Sequence, residues 1–359
     1  MRRTERRRDL LAATAMAAAS YVGFRLLRRV LQANLRGEVA LITGGSRGLG
    51  LQLARELGAA GCRVSICARD HDELARAEAD LAARGIPVLA LPCDVSERHE
   101  VEQLVEAVQS HLGAVDILVN NAGIIQVGPL ETMTLDDFER AMAVNFWGAV
   151  YATMAVLPEM RARQRGRLVN ITSIGGKVAV PHLLPYDCAK FAFLGFSEGI
   201  GAELAKDGIR VTTIVPGLMR TGSPVNAFFK GQREAEFAWF GLGDATPLTA
   251  MSAARAARRI VTAVRRGEGE VTLSVQAKLL RLIHDLFPQL TTDVLGFVNR
   301  LLPSAEGAGP EQVLGMELRA GARFGVGDLV ERDAKRYNQH NGHATHRRPP
   351  SGFGRGTVE

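Results

Sequence analysis

The sequence predicts an α/β protein built on a doubly wound, parallel, seven-stranded sheet. Short runs rich in β-branched residues recur along residues 39–273, and the segments between them carry apolar residues at helical spacing. A strand, a helix and a further strand, repeated this often, need crossovers that lay helices over both faces of a parallel sheet. The predicted fold is therefore of the Rossmann type, with additions at both ends of the chain.

The predicted strands follow one another without a break in composition. They are residues 39–43, 63–67, 87–91, 116–119, 167–172, 210–215 and 270–273. We therefore predict one domain over residues 37–274. Residues 1–36 form a basic segment with a predicted amphipathic helix. Residues 275–337 form a helical extension with apolar helical patterns at 275–287 and 292–302, and residues 338–359 form a tail too poor in large apolar residues to fold alone.

The composition of the 359 residues, 47% hydrophobic and 23% charged, excludes wholesale disorder and a multi-span membrane protein. The net charge of +6 lies at the ends, with +7 in residues 1–36 and +3 in residues 331–359, so the body carries −4. An acidic body argues against a nucleic-acid surface. Four cysteines, none of them in a Cys-x-x-Cys pair or near a histidine cluster, predict neither disulfides nor a metal site and indicate a reducing, cytoplasmic location.

An apolar stretch near the N-terminus raises the possibility of membrane contact. Residues 10–24 are uncharged and bracketed by arginines, but they fall short of the roughly 20 residues that a spanning helix needs. The easier interpretation is an interfacial helix held by arginine charge. A soluble amphipathic helix packed on the body is an equal alternative, and an export signal ranks below both.

A glycine-rich run follows the first predicted strand and opens the first predicted helix. Glycines there let the backbone approach a pyrophosphate, whose charge is met by amides at the helix N-terminus. An ordinary strand-to-helix turn is the alternative. The candidate cofactor-binding residues are Gly44, Ser46, Arg47, Gly48, Leu49 and Gly50.

The end of the second predicted strand favours NADP(H) over NAD(H). A dinucleotide fold that prefers NAD places a carboxylate there, whereas this strand ends in Ala68 and Arg69. Arg69 and Arg47 could clamp a 2′-phosphate through fork-shaped hydrogen bonds. In the alternative, Arg69 is a solvated residue and Asp70 or Asp72 caps the next helix.

The spacing of Tyr186 and Lys190 suggests a general acid or base. Four residues apart on a predicted helix, their side chains project from one face. An ammonium beside a phenol favours the phenolate, so we expect a lowered pKa for Tyr186. Such a group donates a proton in carbonyl reduction and accepts one in alcohol oxidation.

Other polar residues have two interpretations each. Ser173, at the end of the fifth predicted strand, either donates to a substrate oxygen or caps the following loop. Asn145 either holds a water that relays protons to Lys190 or interrupts a helix. Asp94 and Val95, beyond the third strand, either meet an adenine edge or form a helix cap.

Taken together, these features resemble the short-chain dehydrogenase/reductase family over residues 37–274. The resemblance is carried, in chain order, by Thr43-Gly44-x-x-x-Gly48-x-Gly50, Asn120-Asn121-Ala122-Gly123, Asn145, Ser173, Tyr186-x-x-x-Lys190 and Pro216-Gly217. It implies a catalytic tetrad of Asn145, Ser173, Tyr186 and Lys190, with Tyr186 and Ser173 at the substrate, Lys190 at the nicotinamide ribose and Tyr186 also in contact with the cofactor. It also implies that Asn121, Ala122 and Gly123 lie beside the adenosine, and that Pro216, Gly217 and Thr221 hold the carboxamide and phosphates.

The implied function is NADP(H)-dependent interconversion of a carbonyl and an alcohol without a metal, in a homo-oligomer. A non-catalytic, cofactor-binding scaffold of the same fold is the alternative. Phe228, Phe229, Trp239 and Phe240 suggest an apolar substrate pocket or lid, although they fit a core or a subunit contact equally well. The apolar face of residues 279–287 could likewise cover the pocket, meet a second subunit or rest on lipid. The hypothesis for the substrate is a lipophilic ketone or aldehyde.

Overall fold

Seven parallel strands form the central sheet of the computed structural model, which describes residues 16, 23, 32–245, 250–305, 309–318 and 334–339. The strands are β1 Val39–Thr43, β2 Arg63–Ala68, β3 Val88–Pro92, β4 Ile117–Asn120, β5 Gly166–Ile171, β6 Ile209–Val215 and β7 Glu270–Thr272. Their order across the sheet is β7-β6-β5-β4-β1-β2-β3, with every neighbouring pair parallel. The predicted doubly wound sheet is confirmed, and each predicted strand agrees within one residue at either end.

Helices cover both faces of the sheet. They are α1 Gly48–Ala59, α2 His71–Ala82, α3 Arg98–Leu112, α4 Leu135–Met142, α5 Gly148–Ala162, α6 Leu184–Glu203, α7 Arg233–Ala245, α8 Ala253–Arg266, α9 Val275–Leu286, α10 Pro288–Asn299 and α11 Gly315–Leu318. On one face α1, α2 and α8 enclose a core that includes Leu53 and Ile260. On the other face α3 and α5 enclose a core that includes Val101 and Val156. The carboxyl ends of the strands lie together at one edge of the sheet, where the loops that follow them gather.

A π-helical turn, Ala143–Trp147, joins α4 to α5 and makes one continuous helical run over residues 135–162. Among the described residues this run alone is long and apolar enough to cross a membrane by length and composition. It packs against α3 and β4 within the α/β layers. The run is therefore the core helix of this fold.

The C-terminal extension begins with a helical hairpin, α9 and α10. The prediction for α9 is confirmed, whereas α10 begins at Pro288 rather than 292 and ends at Asn299 rather than 302. Proline suits the first helical position because its missing N–H has no intrahelical partner there. Apolar side chains such as Leu279, Leu286 and Phe297 are more than half exposed. The predicted apolar face of residues 279–287 therefore covers no core of the described chain.

Two predicted end segments lie largely outside the described residues. Of residues 1–36, the structure describes only Met16, Gly23 and residues 32–36, so the basic helix is not among the elements above. Of the tail at 338–359 it describes Asn338 and Gln339. Both side chains are hydrogen-bonded to the body of the domain. A small sheet of Gln126–Val127, Phe228–Phe229 and Val313–Leu314 also ties the extension to the domain.

Candidate active site

The predicted site residues converge at the carboxyl ends of the central strands. The glycine-rich loop follows β1, Asn121 follows β4, Ser173 follows β5 and Pro216 follows β6. Adjacent parallel strands end at the same edge, so these loops surround one crevice. The carbonyl of Pro216 accepts from the N–H of Ile174 at 2.8 Å and holds two of the loops together.

Tyr186 and Lys190 stand one turn apart on α6, whose first turn contains Pro185. Nζ of Lys190 lies 5.7 Å from the centroid of the Tyr186 ring and donates to the carbonyl oxygen of Ile171 at 3.1 Å. Lys190 is buried, and Tyr186 is half-buried. The predicted pairing of phenol and amine on one helix face is confirmed.

The direction of the expected pKa shift is wrong. The pKa of Tyr186 is raised to about 12, chiefly by burial, while a hydrogen bond with Ser173 opposes the rise and the charge of Asp187 adds to it. Burial also lowers the pKa of Lys190 to about 8. The sequence shows the ammonium beside the phenol but not the loss of solvent, which disfavours the charged form of both groups.

Asp187 is a buried carboxyl that sequence reasoning missed. It is 1% exposed, and its Oδ2 accepts from the N–H of Val180 at 2.6 Å, while Oδ1 has no hydrogen-bond partner among the described residues. Burial raises the pKa of Asp187 to about 8. Its place directly after Tyr186 was visible in the sequence, but nothing there indicated that the side chain turns inward.

Ser173 caps the loop after β5 and also reaches Tyr186. Its Oγ accepts from the N–H of Gly175 at 3.0 Å, which is the loop-capping interpretation. The same hydroxyl forms the hydrogen bond that acts on the phenol of Tyr186. The loop-capping interpretation of Ser173 is confirmed, and its role at a substrate oxygen stays a prediction.

Asn145 lies in the π-helical turn and clamps the loop after β4. Its Nδ2 donates to the carbonyls of Ile124 and Ala141, each at 3.1 Å, and its Oδ1 accepts from the N–H of Ile124 at 3.2 Å. A Cβ placed on Gly123 would lie 2.6 Å from this Oδ1 and 3.7 Å from Nζ of Lys190. Asn145 and Lys190 therefore meet at the same glycine, and the helix interruption is the π turn itself, a feature common at functional sites.

Asn121 fastens the glycine-rich loop to the end of β4. Its Nδ2 donates to the carbonyls of Thr43 and Gly44, each at 3.0 Å. The hydroxyl oxygen of Thr43 accepts from the N–H groups of Asn121 and Ala122 in return. The Asn121 amide and the Thr43 hydroxyl thus hold the loop in position without a ligand.

The start of α1 suits an anion. Arg47 at the N-cap has an extended backbone and makes no capping hydrogen bond, and the first turn holds no acidic residue. Gly48 has φ +56°, a left-handed conformation that glycine adopts without strain. Because helix N-termini attract negative charge, the residues at this loop fit a dinucleotide pyrophosphate.

Both arginines predicted to favour a 2′-phosphate face carboxylates. Nη1 of Arg47 donates to Oε1 of the buried Glu73 at 2.6 Å, and the other oxygen of Glu73 accepts from Ser46 Oγ at 3.1 Å. The exposed Arg69 lies 3.6 Å from Asp94. The role of Glu73 could not be predicted from the sequence, because its pairing with Arg47 depends on where α2 packs.

The remaining predicted cofactor residues lie at the same edge. Asp70 caps α2, as in the alternative interpretation, by accepting from the N–H of Glu73 at 2.8 Å. Oδ1 of Asp94 accepts from the N–H of Ser96 at 3.0 Å. Leu49 and Val95 are buried, and Gly217 packs against Ser274. Thr221 is buried and its Oγ1 accepts from the N–H of Ser223 at 3.1 Å.

Aromatic residues after β6 form a small hydrophobic core. Phe229 and Phe237 are fully buried, with ring centroids 5.4 Å apart, and Phe240 packs on Phe229 at 6.0 Å. Trp239 donates through Nε1 to Glu236 at 2.6 Å, and the other carboxylate oxygen of Glu236 lies 2.8 Å from Nδ1 of His182. Of the alternatives for these aromatics, the core interpretation describes Phe229 and Phe237, and the Glu236 contacts tie α7 to the loop before α6.

Comparison with known proteins gives the class. A family model described as "short chain dehydrogenase" matches residues 38–228. The chain is 39% identical over 246 residues to a dehydrogenase/reductase SDR family protein 7-like of Anopheles gambiae, covering 67% of this chain and 76% of that protein. It is 30% identical over 305 residues to a fatty acyl-CoA reductase of Acinetobacter baylyi, covering 84% of this chain and 98% of that protein.

A solved structure agrees with these matches. A gluconate 5-dehydrogenase from Burkholderia cenocepacia, in complex with NADP and tartrate, superposes with a TM-score of 0.59 at 28% identity, covering 68% of this chain and 98% of the other. The chain belongs to the short-chain dehydrogenase/reductase family. It is an NAD(P)-dependent oxidoreductase of that family.

Proposed function

We propose that this protein is an NADP(H)-dependent reductase that converts a lipophilic ketone or aldehyde to its alcohol, with Tyr186 as general acid. The observation that carries the proposal is the arrangement of Tyr186, Lys190 and Ser173 at the carboxyl ends of β5 and β6. A phenol with a pKa of about 12 keeps its proton at neutral pH. That state suits a proton donor and thus the direction of reduction.

Each residue of the predicted tetrad has a role that follows from its contacts. Tyr186 gives its proton to the carbonyl oxygen, and the Ser173 hydroxyl stabilises the charge that develops there. Lys190 is still mostly charged at neutral pH, with a pKa of about 8, so it stabilises the phenolate left behind. Asn145 holds the loop after β4 in place beside Lys190. The nicotinamide, when bound, supplies the hydride.

The preference for NADP(H) rests on two features. The second strand ends in Ala68, which offers no carboxylate to a ribose diol, and two arginines stand nearby. Gly44, Ser46, Gly48, Leu49 and Gly50 would hold the pyrophosphate. The similar gluconate 5-dehydrogenase was solved in complex with NADP, which agrees with this choice.

The lipophilic substrate rests on similarity and on exposed surface. The relative from Acinetobacter baylyi is named for a fatty acyl substrate and aligns along 84% of this chain. The exposed apolar side chains of α9 and α10 also suit a protein that works at a lipid surface or pairs with a second copy. Membrane contact is tested by comparing the membrane and soluble fractions of chains with and without residues 1–36. Pairing with a second copy is tested by measuring the size of the protein in solution.

The test of the proposed function is an NADPH-oxidation assay over aldehydes and ketones of increasing chain length and ring size. We expect kcat/KM to rise with apolar size and to be higher with NADPH than with NADH. Preference for small polar ketones contradicts the lipophilic substrate, and preference for NADH contradicts the cofactor. Binding of NADPH without turnover of any carbonyl supports the scaffold alternative.

A further inference from the structure

A segment from the far end of the chain lies in the cofactor crevice. Residues Ala334–Gln339, here called the C-terminal segment, run between the glycine-rich loop and residues 221–226. Ala334, Tyr337 and Gln339 are each less than 5% exposed. The segment is therefore packed into the domain rather than resting on its surface.

The segment occupies hydrogen-bonding groups of the glycine-rich loop. The carbonyl oxygen of Tyr337 accepts from the N–H of Gly48, the first residue of α1, at 2.8 Å. Nδ2 of Asn338 donates to the carbonyls of Ser46, at 2.8 Å, and Glu73, at 3.1 Å. A backbone carbonyl thus accepts from an amide at the helix N-terminus, where an anionic ligand would be expected.

The segment also closes the opposite side of the crevice. Nε2 of Gln339 donates to the carbonyl of Thr221 at 3.1 Å. Nδ2 of Asn226 donates to both the backbone and side-chain oxygens of Gln339, at 3.0 and 2.7 Å. Asn226 in turn accepts from Arg47 at 2.9 Å, so the contacts continue to an arginine that we assign to the cofactor.

Two glycines are shaped to the segment itself. A Cβ on Gly48 would lie 2.7 Å from Nε2 of Gln339, and a Cβ on Gly222 would lie 2.5 Å from Cα of Ala334. A side chain at Gly222 would collide with the backbone of the segment, whereas one at Gly48 would meet only the mobile end of the Gln339 side chain. The close fit indicates a built contact between the segment and the crevice.

We propose that the C-terminal segment is an internal competitor of the dinucleotide, so that the cofactor enters only when the segment leaves the crevice. This inference rests on the proposed function, since it requires that the crevice binds NADPH. The N–H of Gly48 has one proton to donate and cannot serve Tyr337 and a phosphate oxygen together. The segment uses neutral carbonyl and amide groups, whereas a phosphate makes stronger, charge-assisted bonds, so the competition is reversible. The apparent affinity for NADPH is then the intrinsic affinity multiplied by the fraction of molecules from which the segment is released.

The test compares NADPH affinity, by fluorescence titration, in the full chain, a chain ending after residue 333 and a chain ending after residue 339. The last is the matched control because it loses the rest of the tail and keeps the segment. We expect the chain ending after residue 333 to bind NADPH about tenfold more tightly or better, and the control to match the full chain. Equal affinities in all three, or weaker binding without the segment, overturn the proposal. If none of the chains binds NADPH or NADH, the proposed function fails as well.

A second variant keeps the test decisive if the shorter chain does not fold. The double substitution Asn338→Ala with Gln339→Ala removes the side-chain bonds of the segment and is expected to tighten NADPH binding about threefold to tenfold. Arg336→Lys is its control, because that exposed side chain makes none of the bonds described above and keeps its charge. In hydrogen exchange of the full chain, saturating NADPH should speed exchange in residues 334–339 while protecting residues 44–50. Unchanged protection of residues 334–339 in the saturated protein contradicts release of the segment.

Discussion

Two regions of the crevice differ in what controls the charges of their side chains. The catalytic end comprises Tyr186, Asp187 and Lys190, and the cofactor rim comprises Arg47 and Arg69 with their partners. At the catalytic end, Tyr186, Asp187 and Lys190 are shifted in pKa chiefly by loss of solvent, and the ion pairs found among the described residues include none of the three. At the rim, Arg47 and Arg69 each face a carboxylate. Burial therefore controls protonation where we propose that the chemistry occurs, and ion pairing controls charge where we propose that the cofactor binds.

The two regions also differ in how far apart in the sequence their contacting residues lie. Tyr186, Asp187 and Lys190 belong to a single helix. The rim instead joins α1, α2, Asn226 and a segment near the C-terminus. The catalytic end should therefore respond to single substitutions in its proton chemistry, and the rim in its choice and affinity of cofactor.

The largest effect is expected from Tyr186→Phe. Removing the hydroxyl takes away the proposed proton donor, so carbonyl reduction should fall by about 10²–10⁴-fold while NADPH affinity is unchanged. Tyr151→Phe is the control, since Tyr151 stacks on Trp147 with ring centroids 5.9 Å apart and has no proposed part in catalysis. Steady-state rates and NADPH titration measure the two quantities. A Tyr186→Phe protein that keeps more than about a tenth of the activity contradicts the assignment.

The catalytic end could largely be predicted because its key relation is local. A four-residue spacing is enough to place Tyr186 and Lys190 on one helix face, and the strand ends bring Ser173 to the same edge. The sign of the pKa shifts could not be predicted, because it depends on how deeply neighbouring loops bury the pair. The inward turn of Asp187 has the same cause.

The rim was only half predictable for a similar reason. The glycine pattern identifies where a phosphate would fit, yet Glu73 reaches Arg47 only through the packing of α2. The contact of Tyr337 with Gly48 joins residues that are far apart in the sequence, and no periodicity or spacing predicts it. From composition, Asn338 and Gln339 were predicted to belong to an unfolded tail. The composition of a short polar segment does not show which other part of the chain will bind it.

The pH dependence of reduction is the next test of the burial argument. With a pKa of about 8, Lys190 loses its charge above that pH, and the phenolate left by Tyr186 loses its stabilisation. We expect kcat/KM, which reports ionisations of the free enzyme, to fall above about pH 8 by up to tenfold per pH unit. In Lys190→Arg, whose guanidinium stays charged, this falling limb should disappear even if the rate is lower overall. A profile of the unmodified protein that stays flat to pH 10 contradicts the argument.

We expect Asp187 to make the free energy of unfolding depend on pH. Its folded-state pKa of about 8 lies above the value of about 3.9 in an unfolded chain, so the folded protein holds the proton more tightly. The stabilisation is complete below about pH 4 and is lost as pH rises towards 8, at up to about 1.4 kcal/mol per pH unit. Asp187→Asn cannot ionise and should flatten this part of the curve. Denaturant unfolding between pH 5 and 9 measures it, and equal slopes in the two proteins contradict the buried carboxyl.

The smallest effect is expected at the rim, from Glu73→Gln. The substitution keeps oxygen and nitrogen atoms near Arg47 and Ser46 but removes the negative charge that competes with a 2′-phosphate for the guanidinium. Because the side chain of Arg47 is 31% exposed, the pair is worth on the order of 1 kcal/mol, and the ratio of NADPH to NADH affinity should rise about twofold to fivefold. Glu78→Gln, on the exposed side of the same helix, is the control and should leave the ratio unchanged.

The ratio of the two affinities is the best measurement because the free-energy cost of displacing the C-terminal segment is the same for both cofactors and cancels. A ratio that does not move would mean that Arg47 stays with Asn226 whatever the charge at residue 73, and the choice of cofactor would then depend on Arg69.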